Sequence, residues 1–289
     1  MIIALFKSLR PVQWTKNLLL FAAPIFSLNL FHPDIFLLSC AGFVIFCMIS
    51  GSTYIINDLF DITADRQHPK KSQRPIAAGE IQPAAAGIFA AALTAGGLVS
   101  AFALDLNFGF IAAFYFILTL AYSFRLKHII ILDSLIVALG FMVRTIAGAL
   151  MIHVDISKWL LICTIFLSLF LALCKRLNEL KTAESGEIVT RKILNEYSPE
   201  LLIHMISIAA SSSLIAYTLY TVDNATIEKF GTADLVYTVP FVVYGIFRYI
   251  YLIHNKDMGE NPEIILLTDK PILINIVLYL IIVLLILYI

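Results

Sequence analysis

The hydrophobic positions of this chain form long, nearly uninterrupted stretches instead of the one-sided stripes of a soluble helix. A bilayer core about 30 Å thick needs roughly 20 apolar residues at about 1.5 Å rise, and backbone groups in lipid must bond within their own segment. The stretches therefore predict membrane-spanning α-helices, preceded by a short interfacial segment near residues 3–13. The nine predicted spans are approximately 17–31, 35–56, 84–104, 107–123, 131–151, 157–175, 201–221, 232–254 and 271–289.

Basic residues between the spans are distributed unevenly. If the N-terminus is cytoplasmic, all but three of the 20 Lys and Arg residues fall on the cytoplasmic side; Lys158 and Lys229 lie opposite, and Arg144 lies inside a span. By the positive-inside rule, this asymmetry predicts a cytoplasmic N-terminus. Three long polar stretches lie on the same side, and such long connections are typical of functional loops. They are residues 57–83, 176–200 and 255–270.

The composition agrees with a membrane protein. Of the 289 residues, 60% are hydrophobic and 14% are charged, and the mean hydropathy is +0.91, so a soluble core could not bury the apolar surface. A formal net charge of zero indicates no nucleic-acid partner. We expect the N-terminal stretch to be retained, because Trp14, Lys16 and Asn17 interrupt the apolar run that a signal peptide needs. The four cysteines lack metal-site or disulfide spacing and are interpreted as small hydrophobes.

The strongest chemical signal is the Asp motif, residues 57–65, which reads NDLFDITAD. Asp58, Asp61 and Asp65 are spaced i, i+3 and i+7, which on a helix places the three carboxylates on one face. Like charges so close repel, and a hard cation such as Mg²⁺, shared with phosphate oxygens, would offset that repulsion. Asn57 could orient a carboxylate or bind a hydroxyl group linked to the phosphate.

Basic residues follow the Asp motif within the same loop. Carboxylates for a metal and cations for an anion within about twenty residues indicate diphosphate chemistry. The alternative is a solvated loop whose acids and bases pair on the surface, but acids at the end of a span are costly unless they have a function. The basic residues are Arg66, His68, Lys70, Lys71 and Arg74.

The Asp motif and the basic residues that follow it resemble the UbiA superfamily of membrane prenyltransferases, whose first Asp-rich motif has the pattern NDxxDxxxD found here at 57–65. The resemblance implies an all-α membrane protein: one nine-helix domain over residues 1–289, with cytoplasmic active-site loops, in the cell inner membrane. Within the superfamily, the chain is most similar to the decaprenyl-phosphate phosphoribosyltransferase branch. The supporting segments are Arg10-Pro11-x-Gln13-Trp14-x-Lys16-Asn17, Arg74-Pro75-Ile76-Ala77-Ala78-Gly79, Tyr122-Ser123-x-x-Leu126-Lys127, Gly140-Phe141-x-x-Arg144-x-x-Ala147-Gly148-Ala149, Leu173-x-Lys175-Arg176-x-x-Glu179-Leu180, Pro262-Glu263 and Asp269-Lys270-Pro271.

One departure from the superfamily pattern favours this branch. Members with aromatic acceptors carry a second Asp-rich motif after the sixth span, but residues 175–181 read KRLNELK here. Cations at that position suit an additional phosphate group, such as a polyprenyl monophosphate or the 5-phosphate of a ribose, better than a second metal. The departure therefore argues against a neutral aromatic acceptor.

The resemblance implies a magnesium-dependent transfer of 5-phosphoribosyl from 5-phosphoribosyl 1-diphosphate to a polyprenyl phosphate, with diphosphate as the leaving group. The metal ligands would be Asp58, Asp61 and Asp65, and the catalytic residues Asp58, Asp61, Lys175 and Arg176. An anionic acceptor oxygen requires no strong general base, in agreement with the lack of an obvious His-centred dyad. The substrate-binding residues would be Lys16, Asn17, Asn57, Arg66, Lys70, Arg74, Tyr122, Arg125, Lys127 and Arg144.

Several alternatives stay open from the sequence. The basic pairs at span ends could be snorkelling anchors, and Lys16 and Asn17 could be interfacial anchors beside Trp14. Arg144 could form a structural pair with another intramembrane polar group, for example Asp133, instead of contacting a substrate phosphate. The rival function is transfer of an isoprenoid from its diphosphate to a small acceptor, and a third class is a transporter or channel. The sequence also leaves open whether the protein forms a homo-oligomer.

Overall fold

The computed structural model describes residues 2–155, 157–184, 192–255, 265 and 268–289. All regular secondary structure in these ranges is helical. The described residues form two compact units: one contains those up to Asp155, and the other contains those from 157 to 184 and from Ile193 onward. Pro262 and Glu263, which contribute to the family resemblance, lie outside the described residues.

The first unit is built from seven α-helices and a long 3-10 helix. Proline occupies the first turn of several of them, where its missing N–H has no intrahelical partner to lose. The helices are α1 (Ile2–Ser8), the 3-10 helix Pro11–Phe21, α2 (Ala22–Phe26), α3 (Pro33–Phe60), α4 (Ile62–Gln67), α5 (Pro83–Leu104), α6 (Leu106–Phe124) and α7 (Leu132–Met151).

Eight helices of the described ranges are long and apolar enough to cross a membrane, and they correspond to the last eight predicted spans. The helix at the predicted span 157–175 continues to Thr182, and the other ends agree with the prediction to within about four residues. The first predicted span, 17–31, is not among them, so the count of nine is not confirmed. The chain there forms the 3-10 helix Pro11–Phe21 and then α2. Because a 3-10 helix rises about 2.0 Å per residue, these two elements together still extend about 30 Å, the thickness of a bilayer core.

The loop after the Asp motif is anchored by an apolar cluster. Ile76 and Ile81 are 1% and 3% exposed and pack with Ala4 of α1, Ile55 of α3 and Ala86 of α5. Gly79 lies between them with φ of +80°, a left-handed conformation that glycine adopts without steric cost. The buried isoleucines fix the loop that carries the basic residues against the end of α3.

The second unit contains the remaining membrane helices. Its core includes Phe170, Leu173, Leu177, Leu202 and Leu252, all fully or almost fully buried. The hydroxyl of Tyr217 bonds Thr238 Oγ1 at 2.6 Å and donates to the Tyr279 hydroxyl at 3.1 Å, which satisfies polar groups among apolar helices. The α-helices of this unit are α8 (Lys158–Glu184), α9 (Pro199–Val222), α10 (Asn224–Phe230), α11 (Val239–Asn255) and α12 (Lys270–Tyr288).

Candidate active site

The Asp motif is divided between two helices. Asp58 lies in the last turn of α3, Asp61 ends that helix with φ −90° and ψ 7°, and Asp65 belongs to α4. The Asp65 N–H still donates to the Asp61 carbonyl at 2.8 Å, so the break is a single tight turn. The expectation of three carboxylates on one face of one helix needs correction: Asp58 and Asp65 contact a common cation, whereas Asp61 contacts a different one.

Arg74 joins the two buried carboxylates of the motif. Its Nη1 donates to Asp58 Oδ1 at 3.0 Å and to Asp65 Oδ2 at 2.6 Å. Both aspartates are 3% exposed, so they depend on such partners to offset the loss of water. Arg74, at the end of the loop, therefore contacts two acids of the Asp motif at its start.

Asp61 has its own set of partners and is more accessible, with a side chain that is 34% exposed. Lys127 Nζ lies 3.3 Å from Asp61 Oδ1 and 3.1 Å from Oδ2. Asn57 Nδ2 donates to Asp61 Oδ2 at 3.1 Å, which is one of the two roles expected of Asn57. The loop after α6 and the Asp motif are thus in direct contact, as required if both lie on one face of the membrane.

Arg10 contacts the Asp motif but is absent from the predicted set of site residues, although it belongs to a segment that carries the family resemblance. Its Nη2 donates to Asp58 Oδ1 at 2.5 Å, and its guanidinium carbon lies 5.1 Å from the centroid of the Tyr54 ring. The residue has φ of 52° and ψ of 68°, immediately before Pro11 and the 3-10 helix. No spacing rule connects positions 48 residues apart, so the signals for Arg10 in the sequence are its place in that segment and the recurrence of basic residues beside the first span.

The remaining basic residues of the predicted set are placed less centrally. Arg66 Nε donates to the Ala77 carbonyl at 3.2 Å and so braces the loop backbone. Lys70 and Arg125 are exposed, and Tyr122 is half-buried. The Lys16 ammonium lies 6.0 Å from the centroid of the Phe141 ring, a cation–π contact on the 3-10 helix. The structure brings Lys127, not Arg125, to the acids.

Arg144 is the centre of a buried polar network inside α7 and is 4% exposed. Its Nε donates to Asn17 Oδ1 at 2.8 Å, its Nη1 to the Gly140 carbonyl at 2.8 Å and its Nη2 to the Tyr115 hydroxyl at 2.5 Å. Within the described residues, no carboxylate forms an ion pair with Arg144, so Asp133 is not the partner considered from sequence. The predicted residues Asn17 and Arg144 therefore bind each other.

The second unit holds Lys175 and Arg176 on α8. Arg176 is 2% exposed, and its Nη1 pairs with Glu179 Oε2 at 2.5 Å, one turn later on the same helix. Lys175 is half-buried. The glutamate thus neutralises one of the two cations that replace the second Asp-rich motif.

The donor set suits a magnesium ion that also binds phosphate. Among the residues that the structure describes, no three His, Cys, Asp or Glu side chains are gathered closely enough to hold a metal by themselves. Mg²⁺ is, however, usually bound by one or two carboxylates together with water and substrate phosphates. Asp58 Oδ1 and Asp65 Oδ2, bridged by a single nitrogen of Arg74, provide such a pair. The residues therefore fit Mg²⁺ with a phosphorylated ligand and do not fit an all-protein cage.

Relatives in sequence resemble the chain over nearly its whole length. A decaprenyl-phosphate phosphoribosyltransferase from Mycolicibacterium smegmatis is 36% identical, over 92% of this chain and 86% of that protein. One from Mycobacterium tuberculosis is 32% identical, over 91% of this chain and 87% of that protein.

A solved structure and a family model agree with the likeness to these relatives. A solved UbiA homologue from Archaeoglobus fulgidus, bound to GPP and Mg²⁺, superposes with a TM-score of 0.73 at 20% identity and covers 99% of this chain and 100% of its own. That likeness confirms the all-α membrane fold expected from sequence. The model of the UbiA prenyltransferase family matches residues 18–267. The chain therefore belongs to the UbiA prenyltransferase family.

Proposed function

We propose that the protein transfers 5-phosphoribosyl from 5-phosphoribosyl 1-diphosphate to a polyprenyl phosphate of decaprenyl type and releases diphosphate. The observation that carries the proposal is the bridge of Arg74 between Asp58 and Asp65, because it holds a phosphate-binding cation against two acids suited to magnesium. The names of the relatives at 36% and 32% identity support the transfer of a phosphoribosyl group to decaprenyl phosphate.

The diphosphate of the donor is bound at the Asp motif. Asp58 and Asp65, and Asp61 beside them, would hold Mg²⁺, which supplies charge neutralisation to the departing diphosphate. Arg10, Arg74 and Lys127 lie against these acids, and their side chains are 28%, 25% and 14% exposed, so they can reach diphosphate oxygens without entering the apolar core. These cations orient the leaving group and stabilise its developing charge.

The chemical step needs no strong base. A phosphate oxygen of the acceptor attacks C1 of the ribose and forms the new C1–O bond, while the C1–O bond to diphosphate breaks and its electron pair leaves with diphosphate. The attacking oxygen is already anionic, so no proton has to be removed. Lys175 and Arg176 supply positive charge for the second phosphorylated group.

The site faces the cytoplasm in this proposal, and the protein resides in the inner membrane. The excess of Lys and Arg beside the Asp motif supports that orientation. The contact between Lys127 and Asp61 requires the two loops to lie on the same side of the membrane, in agreement with the predicted order of the spans.

Transfer of an isoprenoid from its diphosphate is the second candidate, favoured by the likeness to the Archaeoglobus homologue bound to GPP and Mg²⁺. Both reactions would use the same acids. They differ in which substrate carries the diphosphate. The replacement of the second Asp-rich motif by residues 175–181, which read KRLNELK, supports the phosphoribosyl reaction.

An incorporation assay distinguishes the two candidates. Membranes containing the protein are incubated with ribose-labelled 5-phosphoribosyl 1-diphosphate and polyprenyl phosphate, or with labelled geranyl diphosphate and an aromatic acceptor. We expect label from the first donor in the lipid extract, and none when Asp58 is replaced by Asn. Transfer of the geranyl label alone would contradict the proposal and favour the second candidate.

A further inference from the structure

Among the residues that the structure describes, the ion pairs of the Asp motif join equal numbers of acids and bases. Three acids, Asp58, Asp61 and Asp65, contact three bases, which are Arg10, Arg74 and Lys127. We call these six residues the acid–base cluster. Two of its carboxylates lie deeper than their cations: Asp58 and Asp65 are 3% exposed, whereas the side chains of Arg10 and Arg74 are 28% and 25% exposed. In the third pair the order is reversed, because the side chain of Asp61 is 34% exposed and that of Lys127 is 14% exposed.

These ion pairs oppose the binding of a divalent metal in the absence of diphosphate. Asp58 Oδ1 accepts from Arg10 at 2.5 Å and from Arg74 at 3.0 Å, so the oxygen that a metal needs is already occupied by two cations. Adding Mg²⁺ to the neutral cluster would place two uncompensated charges at a buried position, which is costly. Removing an arginine to make room would forfeit charge-assisted hydrogen bonds.

A diphosphate changes the balance. It carries several negative charges and accepts hydrogen bonds from guanidinium groups in the same geometry as a carboxylate. The partly exposed arginines can therefore turn from the carboxylates to the phosphate oxygens, which frees Asp58 and Asp65 for the metal. The metal and the diphosphate therefore favour each other's binding, because the metal brings positive charge to the carboxylates and the diphosphate brings negative charge to the arginines.

We infer that Arg10, Arg74 and Lys127 make metal binding conditional on diphosphate, so that the protein takes up the metal–diphosphate complex and excludes the free metal. The inference deepens the proposed function and rests on it in one respect, that the diphosphate belongs to the donor. Positive coupling between two ligands typically amounts to about 5- to 150-fold in affinity and is reciprocal.

The competing view is that the ion pairs are permanent supports of the fold. The two views predict opposite signs for removal of Arg74. If the arginine competes with the metal, its loss raises the affinity for metal alone. If the arginine only supports the acids, its loss distorts the site and lowers the affinity under all conditions.

Manganese binding measures this coupling directly. The full-length protein in lipid nanodiscs is titrated with Mn²⁺, with free ion detected by electron paramagnetic resonance, in the absence and presence of inorganic diphosphate. Since diphosphate itself binds Mn²⁺, the same titration on empty nanodiscs is subtracted. For the natural protein we expect diphosphate to tighten Mn²⁺ binding on the order of tenfold or more.

The substitution Arg74→Gln is expected to raise the affinity for Mn²⁺ alone and to reduce the gain from diphosphate to below about threefold, under the typical range of coupling. Lys127→Gln, beside the more exposed Asp61, is expected to shift both quantities in the same direction if Arg74→Gln fails to fold. Lys229→Gln on α10 of the second unit removes the same charge at an exposed position and should leave both quantities unchanged.

Two outcomes would overturn the inference: equal Mn²⁺ affinity of the natural protein with and without diphosphate, or an equal loss of affinity in Arg74→Gln under both conditions. Failure of the proposed function is separate. If coupling to inorganic diphosphate is present but no ribose label enters lipid, the donor assignment is wrong and the inference stands.

Discussion

Asp58 makes more charged contacts than the other acids of the motif. Its Oδ1 accepts from both Arg10 and Arg74, and the residue is 3% exposed at the end of a membrane-spanning helix. A buried carboxylate with two cationic partners is stable only while those partners or replacements for them are present. The alternative from the sequence, that the acids and bases of the loop pair with one another, agrees with these ion pairs, but the carboxylates of Asp58 and Asp65 are buried instead of lying on a solvated surface.

Replacement of Asp58 by Asn tests its role at the scale of one residue. Asn keeps the size of the side chain but lacks the charge, so metal and diphosphate lose their common support. We expect kcat/KM for transfer to fall by about 100-fold or more, the usual effect of removing one electrostatic contact in a site. Asp34→Asn, at the exposed opposite end of α3, should retain activity. Comparable activity of both variants would contradict the role.

Arg144 supports the bundle through three neutral acceptors. Lys cannot reproduce this planar arrangement of donors, so Arg144→Lys should leave Asn17 and Tyr115 without part of their hydrogen bonds. We expect a loss of about 1–3 kcal/mol in the free energy of unfolding, measured by denaturant titration in detergent. Asn17→Ala combined with Arg144→Lys should be less than additive, because the residues are in contact. Full additivity would show that the network does not act as a unit.

At the scale of elements, the 3-10 helix Pro11–Phe21 approaches α7 at Gly148. A Cβ atom on Gly148 would collide with the backbone carbonyl of Leu20, and a backbone obstacle cannot rotate away. Gly148→Ala should therefore destabilise the protein by about 1–3 kcal/mol, measured by thermal or denaturant unfolding. Gly87→Ala on α5, whose Cβ would meet only Leu59 at 4.0 Å, is the matched control and should be neutral or slightly stabilising. Equal effects would contradict the close approach.

The elements also show what sequence reasoning could reach. The α-helical spans follow from apolar length alone, and α3, α5 and α7 agree closely with their predicted ranges. The 3-10 conformation of residues 11–21 cannot be predicted in this way, because no hydrophobic period distinguishes it from an α-helix in so short an apolar segment. The end of helix α3 at Asp61 is not predicted for a related reason, since the i, i+3 and i+7 spacing of the acids is compatible with one continuous helix.

The sequence predicts the contacts of the candidate site only in part, and the roles of its residues stay predictions. The acids, Arg74 and Lys127 are brought together as a diphosphate site requires. The missing member, Arg10, is brought to Asp58 by tertiary structure, which local spacing does not encode. Arg66 and Arg144 bond protein groups, which the sequence does not predict, and their role in substrate binding stays a prediction.

For the whole molecule, the membrane orientation makes a further prediction. In a cysteine-free background, Lys70→Cys lies on the loop with the Asp motif, and Lys229→Cys lies on α10; both positions are exposed. With a cytoplasmic site, a membrane-impermeant thiol reagent should label position 229 in intact cells and position 70 only after permeabilisation. The reverse pattern would invert the proposed orientation.

The central claim, that the Asp motif holds the diphosphate of a sugar donor, is tested most directly by the stoichiometry of the purified protein. The measurement counts diphosphate released and ribose label transferred to polyprenyl phosphate in the same nanodisc sample, with and without Mg²⁺. We expect one diphosphate for each labelled lipid, and neither product without the metal or in Asp58→Asn. Diphosphate release without labelled lipid, or labelled lipid with unchanged yield in Asp58→Asn, would contradict the claim.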